Sequence, residues 1–475
     1  MPHKAIFALA FLALTACGGG GGDDDGISGG TEAGNPNRYY VRVVHAVGDA
    51  PALRVSGDGR NWARGIPYAT VSGLVAQDLG GATSATVQVA VDSQDLDNNI
   101  LDRLATETIS VRGDTENSVV VGGGYADTFV FSVPAVRRAK PVASLYFQFA
   151  HAAPELGPVD VYVTAPGVDL ATTGPFGTLA PFEFTESIEI PFDETVITLT
   201  SAGTLDPVFT SQTLDFEDDP ADAEDGAEWF MAIAPTLIAG SSPFKLVSGD
   251  GRSAFELYDR VAPAAVRVVH ASPDAPAMDV IIGDNFENPL ARSLSFGQRT
   301  APGAVIGSRA SLNFTPPGET GTFLYEDTVD SAPGFESTLF LSGNFEDLQS
   351  PDTAAQPRSV VTQARVRFVN ITAESDFITV YLPEADNAGS DRSLIDDLPP
   401  TAATDYTAFE PGPYELRITK RTIKINDDPD DVDEVLIFGP EIVTLGGGNV
   451  TTVIVFPSGI DGGPELVTIF DDLEP

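Results

Sequence analysis

Residues 41–55 read VRVVHAVGDAPALRV, and residues 266–280 read VRVVHASPDAPAMDV. A strand-like alternation, a histidine and an acidic, proline-bearing turn thus recur at a separation larger than one small domain. That recurrence makes the chain a tandem array rather than a single large core. Aligning on the histidine finds two more copies without a gap, LYFQFAHAAPELGPVDVYV at 145–163 and ARVRFVNITAESDFITVYL at 364–382. The aligned positions are His45, His151, His270 and Asn370, each about one sandwich domain from the next. A valine follows ten residues later in every copy, at Val55, Val161, Val280 and Val380.

Between the copies, short apolar alternations are bounded by Gly, Pro, Asp and Asn, and no helical apolar period runs for three turns beyond the N-terminus. The expected fold is all-β: four tandem antiparallel β-sandwiches at 36–138, 139–262, 263–362 and 363–475. SATVQVAV, ETVITLT, ASLNFTPPG and GPYELRIT read as middle strands, and FELYD and LVTIFDD as closing ones. TISVRGDTENSVVVGG and EIVTLGGGNVTTVIVFP read as hairpins, with turn residues suited to positive φ. The acidic run at 217–228 reads as an insertion into the equivalent hairpin of the second copy.

The formal charge is −43, from 26 Lys and Arg against 69 Asp and Glu. No basic stripe exists to neutralise phosphates, which excludes a nucleic-acid binder, and direct adsorption to anionic lipid is equally disfavoured. So many acids read first as a solvated surface and second as cation sites.

The N-terminus, MPHKAIFALAFLALTAC, places Lys4 before an apolar run that is too short to span a bilayer and has the proportions of a secretory signal, residues 1–16. Leu14-Thr15-Ala16-Cys17 resembles the bacterial lipobox, and Cys17 is the one cysteine of the chain. The expectation is lipidation at Cys17, which two or more acyl chains make a stable anchor. A Gly/Asp-rich tether, 17–35, follows. Gly18 stands after the cysteine in place of the aspartate that retains many such lipoproteins in the inner membrane, so the outer membrane is expected. The membrane is then a partner through the lipid alone.

Alternate residues of a strand share a face, so Val266, Val268 and His270 point together into the core, as do Phe147, Phe149 and His151. A buried imidazole there needs hydrogen-bond partners. The following turn offers carbonyls, amides and an acid four residues on: Asp49, Glu155, Asp274 and Glu374. A zinc site needs several converging ligands, and each copy offers one histidine and no cysteine. Asn370 replaces the histidine in the fourth copy and cannot act as a general base near neutral pH. The expected role is therefore structural, without catalytic residue, metal or cofactor.

The stretch His270-Ala271-Ser272-Pro273-Asp274-Ala275-Pro276, with Asp279-Val280, resembles the signature of an uncharacterised bacterial family, a domain of unknown function found in tandem on secreted proteins and lipoproteins. The first copy keeps Asp49, Ala50 and Pro51 but has Arg54 for the later aspartate. The second keeps Pro154, Asp160 and Val161, and the fourth little beyond Glu374. The resemblance implies immunoglobulin-like or transthyretin-like sandwiches and transfers no catalytic residue.

No nucleophile elbow between a strand and a helix, no His-Glu-x-x-His and no phosphate-binding loop is present. The acidic stretches at 92–102 and 426–434 hold enough oxygen for calcium but lack the EF-hand ligand order. The functional expectation is a lipid-anchored envelope or cell-surface protein with a structural or binding role toward a protein or glycan. A carbohydrate- or calcium-dependent adhesin is the first alternative and a carboxylate-based hydrolase the second.

Overall fold

A computed structural model describes residues 35–92, 103–137, 144–191, 193–215, 228–236, 242–249, 254–372, 376–423, 432–459 and 465–472. The expected signal, Cys17, most of the expected tether, Glu374 and most of each acidic stretch at 92–102, 217–228 and 426–434 lie outside the described residues. What is described is all-β, with four one-turn 3-10 segments. Among these residues no helix is long and apolar enough to cross a membrane.

Each repeat is a sandwich of two sheets. One is built on an opening strand that ends at the aligned position: Arg38–His45, Ser144–His151, Ala264–His270 and Ala364–Asn370. The other is built on the strand that follows: Leu53–Gly57, Val159–Thr164, Met278–Ile282 and Asp376–Tyr381. Period-two alternation aims Val266 and Val268 at Val280, and Val366 and Phe368 at Val380, within one apolar core per sandwich. Val55, Val161, Val280 and Val380 are all fully buried. Burying each such side chain is worth about 1.5–3 kcal/mol, so these positions hold the two sheets together.

In every repeat the opening strand pairs in parallel with a late strand, Thr115–Gly122, Glu228–Pro235, Glu336–Asn344 or Val450–Ser458. The register repeats too: His45 lies opposite Val121, His151 opposite Ile233, His270 opposite Leu341 and Asn370 opposite Val455. The other described strand pairs are antiparallel.

This pairing corrects the two expected hairpins. Arg103–Ser110 pairs with Ser84–Val91 in one sheet, whereas Thr115–Gly122 joins the opening strand in the other. Val432–Leu445 and Val450–Ser458 divide in the same way. The turn therefore arches over the rim of the sandwich. Turn chemistry is the same for a hairpin and an arch, and burial decides between them. TENSVVVG is buried on both faces and takes a central place, while RLATETIS is largely exposed and takes an edge.

The sandwiches group into two compact units, the first with the second and the third with the fourth. Within each unit the two opening-strand sheets face one another. Val44, Ala46 and Val120 meet Ala150, Phe230 and Ala232 in one unit. In the other, Val269, Ala271 and Phe340 meet Val369, Ile371 and Ile454. The opening strands are thus buried on both faces, which is why VRVV reads as a near-continuous apolar run.

Candidate functional site

The repeated corner is built from the last residue of each opening strand. His45, His151, His270 and Asn370 are all completely buried. Nδ1 of His151 accepts the Ala153 N–H at 3.2 Å, so the proton sits on Nε2, which donates to the Gly157 carbonyl at 2.7 Å. His45 accepts the Val47 N–H through Nδ1 at 3.2 Å, and His270 donates through Nε2 to the Pro276 carbonyl at 3.2 Å. Asn370 makes the same two bonds with an amide. Its Oδ1 accepts the Thr372 N–H at 3.0 Å and its Nδ2 donates to the Asp376 carbonyl at 3.0 Å. In the second and fourth repeats, an N–H two residues on and a carbonyl six residues on are therefore held alike by imidazole and amide. Burial pushes the basicity of His151 and His270 down, against the opposing pull of the Gly157 and Pro276 carbonyls.

The acids four residues on do not hold the ring. Glu155 is exposed, and Asp274 accepts from the Ser272 hydroxyl at 3.2 Å and from the Phe345 N–H at 3.0 Å. Asp49 is half-buried, and Glu374 is outside the described residues. The signature aspartate works elsewhere. Asp160 and Asp279 accept the N–H groups of Gly203 at 2.7 Å and Gly318 at 2.9 Å, in turns whose φ of 77° and 79° suits glycine.

Two further repeated features went unread in the sequence. Where the chain returns to the corner, Ala69, Phe182, Gly297 and Thr401 all have positive φ, at 58°, 69°, 78° and 57°. Three residues later a hydroxyl accepts an N–H of the opening strand: Ser72 from Val43, Thr185 from Phe149, Thr300 from Val268 and Thr404 from Phe368, at 2.9 to 3.1 Å. The connecting loops differ in length, so an alignment on the histidine does not bring these positions into line.

The second is a buried ionic set between the third and fourth sandwiches. Arg267 and Arg367 occupy the same repeat position, three residues before the corner. Arg267 reaches Glu336 at 3.1 Å and Asp472 at 3.5 Å, and Arg367 lies 3.9 Å from Asp472. The Tyr406 and Thr452 hydroxyls donate to the other Asp472 oxygen, each at 2.6 Å. Burial raises the Glu336 carboxyl above its ordinary value against the Arg267 charge, and it also holds the Tyr406 phenol protonated. The equivalent of these arginines is Arg42 in the first repeat, buried on Ser118, and Gln148 in the second. The V-R-V pattern was the available signal. An arginine in a strand with apolar neighbours on its own face has to be paired inside. Among the described residues no group of three or more His, Cys, Asp and Glu could hold a metal ion.

The fold and the corner define a class: tandem sandwiches that share one hydrogen-bonded turn and pack in pairs through their opening-strand sheets. Within that class, the chain belongs to the family described as "Domain of unknown function (DUF4397)", whose model matches residues 39–162 and 264–381, over half of its length. Each match opens on the first strand of a pair and ends in the second strand of the partner sandwich, so each takes in two corners. None of the curated proteins matches the chain. Two solved structures bear a slight likeness. One is described as "Alpha-glucan binding by a streptococcal virulence factor", with 10% identity over 41% of this chain and 93% of that one and a TM-score of 0.15. The other is "The Bacillus anthracis TIE protein", with 8% identity over 88% and 68% and a TM-score of 0.15. Likenesses at that TM-score carry no argument here.

Proposed function

We propose that the chain is a lipid-anchored protein of the outer membrane, periplasm-facing or surface-exposed, that acts by binding or by holding other envelope components and performs no catalysis. The observation that carries this reading is the equivalence of His151 and Asn370. Where an amide makes the same two backbone bonds as the imidazole, the repeated signature is a folding device, and an amide has no use as a base or nucleophile. Working surfaces are then the loops and edges at the sandwich ends, where such modules meet partners. Anchoring is supported by the apolar run that ends at Cys17 and by the glycines and aspartates after it, which suit a tether.

The test is Cys17→Ser expressed in a Gram-negative host. The expected product is unprocessed or released and leaves the detergent phase, because the lipid is the membrane contact. A mature-sized variant that still partitions with detergent refutes the anchoring.

A further inference from the structure

One sheet edge of the fourth sandwich departs from its three counterparts. In each repeat the second sheet ends on a strand that, among the described residues, pairs on one side only: Arg103–Ser110, Pro207–Thr210, Tyr325–Asp330 and Val432–Leu445. Such an edge presents unpaired N–H and C=O groups, so folds keep it short, polar or broken by proline. The first three comply. They have 8, 4 and 6 residues, Pro207 opens the second, and none of them has a large apolar side chain exposed. The fourth has 14 residues and leaves Val435, Leu436 and Ile442 exposed by 52%, 49% and 55%.

The inner side of this strand is taken by Gly412–Ile423, with Val435 opposite Lys420 and Leu436 opposite Thr419. Register shifts beyond Leu436, and Pro440, which has no N–H to give, divide the edge into two regular stretches, 432–436 and 441–445. The first carries two of the three exposed side chains, and strand alternation puts Val435 and Leu436 on opposite faces of the sheet. A strand added there covers one aliphatic side chain on each face. Charge narrows what such a strand can be. Val432–Leu445 holds Asp433, Glu434 and Glu441 and neither Lys nor Arg. The cations of the neighbouring strand are engaged already: Arg417 with the Tyr381 ring and the Ser390 carbonyl, Lys420 with Asp376 and Glu465, and Arg421 with Asp397. A second copy laid along this edge would set acid against acid in chains that each carry −43.

We propose that the edge at 432–436 takes up an extended segment of a partner protein as an added strand, and that this segment alternates aliphatic residues with Lys or Arg. In this mode the main-chain hydrogen bonds supply affinity, and alternate side chains supply specificity. Here the aliphatic residues meet Val435 and Leu436, and the cations answer the acids of the edge. The assignment rests on the binding role proposed above, to which it gives a surface and a class of partner, and it is independent of the lipid anchor.

The experiment follows the fluorescence anisotropy of a labelled peptide of alternating valine and lysine as the full-length mature chain is added. A valine–glutamate peptide tests the charge. A valine–lysine peptide N-methylated at alternate residues keeps the charge and the side chains and removes N–H donors. Leu436→Lys places on the edge a charge that repels the peptide, at an exposed position where the melting temperature should hold. Saturable binding of the unmodified peptide is expected, and each of the three changes should weaken it by about tenfold or more, the size of one or two lost hydrogen bonds. Equal binding of the N-methylated peptide would reduce the effect to bulk charge attraction and overturn the proposal. So would binding that Leu436→Lys leaves intact, equal binding of the glutamate peptide, or no binding at all. A chain that dimerises in solution and becomes monomeric with Leu436→Lys would overturn the assignment of the partner in favour of a second copy. Detergent partitioning of Cys17→Ser reads the anchor separately, so failure at this edge and failure of the anchored reading are told apart.

Discussion

Replacing His151 with leucine or asparagine separates a hydrogen-bonded corner from a merely filled one. The imidazole holds two buried backbone groups, the Ala153 N–H at 3.2 Å and the Gly157 carbonyl at 2.7 Å. Leucine fills the space and leaves both without a partner. Each unsatisfied buried group costs about 1–3 kcal/mol, so His151→Leu should destabilise by about 2–6 kcal/mol. That is a large fraction of the roughly 5–15 kcal/mol that holds a domain folded. Asparagine keeps both bonds in the manner of Asn370. It loses only ring volume and the edge contact with Phe244, 6.1 Å between centroids, which should cost about 1 kcal/mol.

The readout is specific, because both tryptophans of the chain, Trp62 and Trp229, belong to the first unit. Urea unfolding followed by tryptophan fluorescence therefore reports that unit alone. The same variants carry a pH signature. Burial lowers the His151 pKa below its ordinary 6.5, against the Gly157 carbonyl and the Glu155 charge, so the unfolded chain takes up this proton first. A base depressed in the fold contributes stability that is complete above its unfolded pKa and is lost as pH falls below it. Wild type should thus lose up to about 1.4 kcal/mol per pH unit below about pH 6.5 through this one group. His151→Asn does not titrate there, and His45 is common to both proteins, so the difference between the curves isolates His151. Leucine as stable as asparagine, or a difference that stays flat with pH, refutes the corner.

The ionic set of the second unit makes a complementary prediction. Arg267→Met strands the buried Glu336 carboxyl, while Asp472 keeps Arg367, Tyr406 and Thr452, and should cost about 3–5 kcal/mol, lowering the calorimetric transition of that unit while the tryptophan transition stays in place. An unchanged calorimetric transition would show the set to be dispensable. The pairing of sandwiches predicts that residues 263–362, expressed alone, self-associate and bind a hydrophobic dye through the uncovered Val269, Ala271 and Phe340, and that residues 258–475 do not. A monomeric, dye-free third sandwich would contradict the shared core.

What was legible in the sequence was what recurs in register. The corner residue, the valine ten positions on and the two-residue period survive every copy because each faces a core that must be filled in the same way. The partner of the ring was less legible. A polar side chain followed by an acid four residues later invites an ion pair, yet the turn closes so that its own backbone reaches the ring first, and Asp274 and Glu155 are left at the surface. The arch was misread as a hairpin because turn residues describe the local φ and not the sheet that the next strand joins. Strand burial carries that information, and the unbroken run of three valines in TENSVVVG is its trace in the sequence. The pairing of sandwiches was written in the arginines. Three of the four copies put a guanidinium on the face opposite the core, where a solvent-facing strand would do as well with lysine, threonine or glutamate. A side chain with five fixed donors among valines is economical only when a second surface brings acceptors to it, and Asp472 for Arg267 and Thr338 for Arg367 are those acceptors in the second unit.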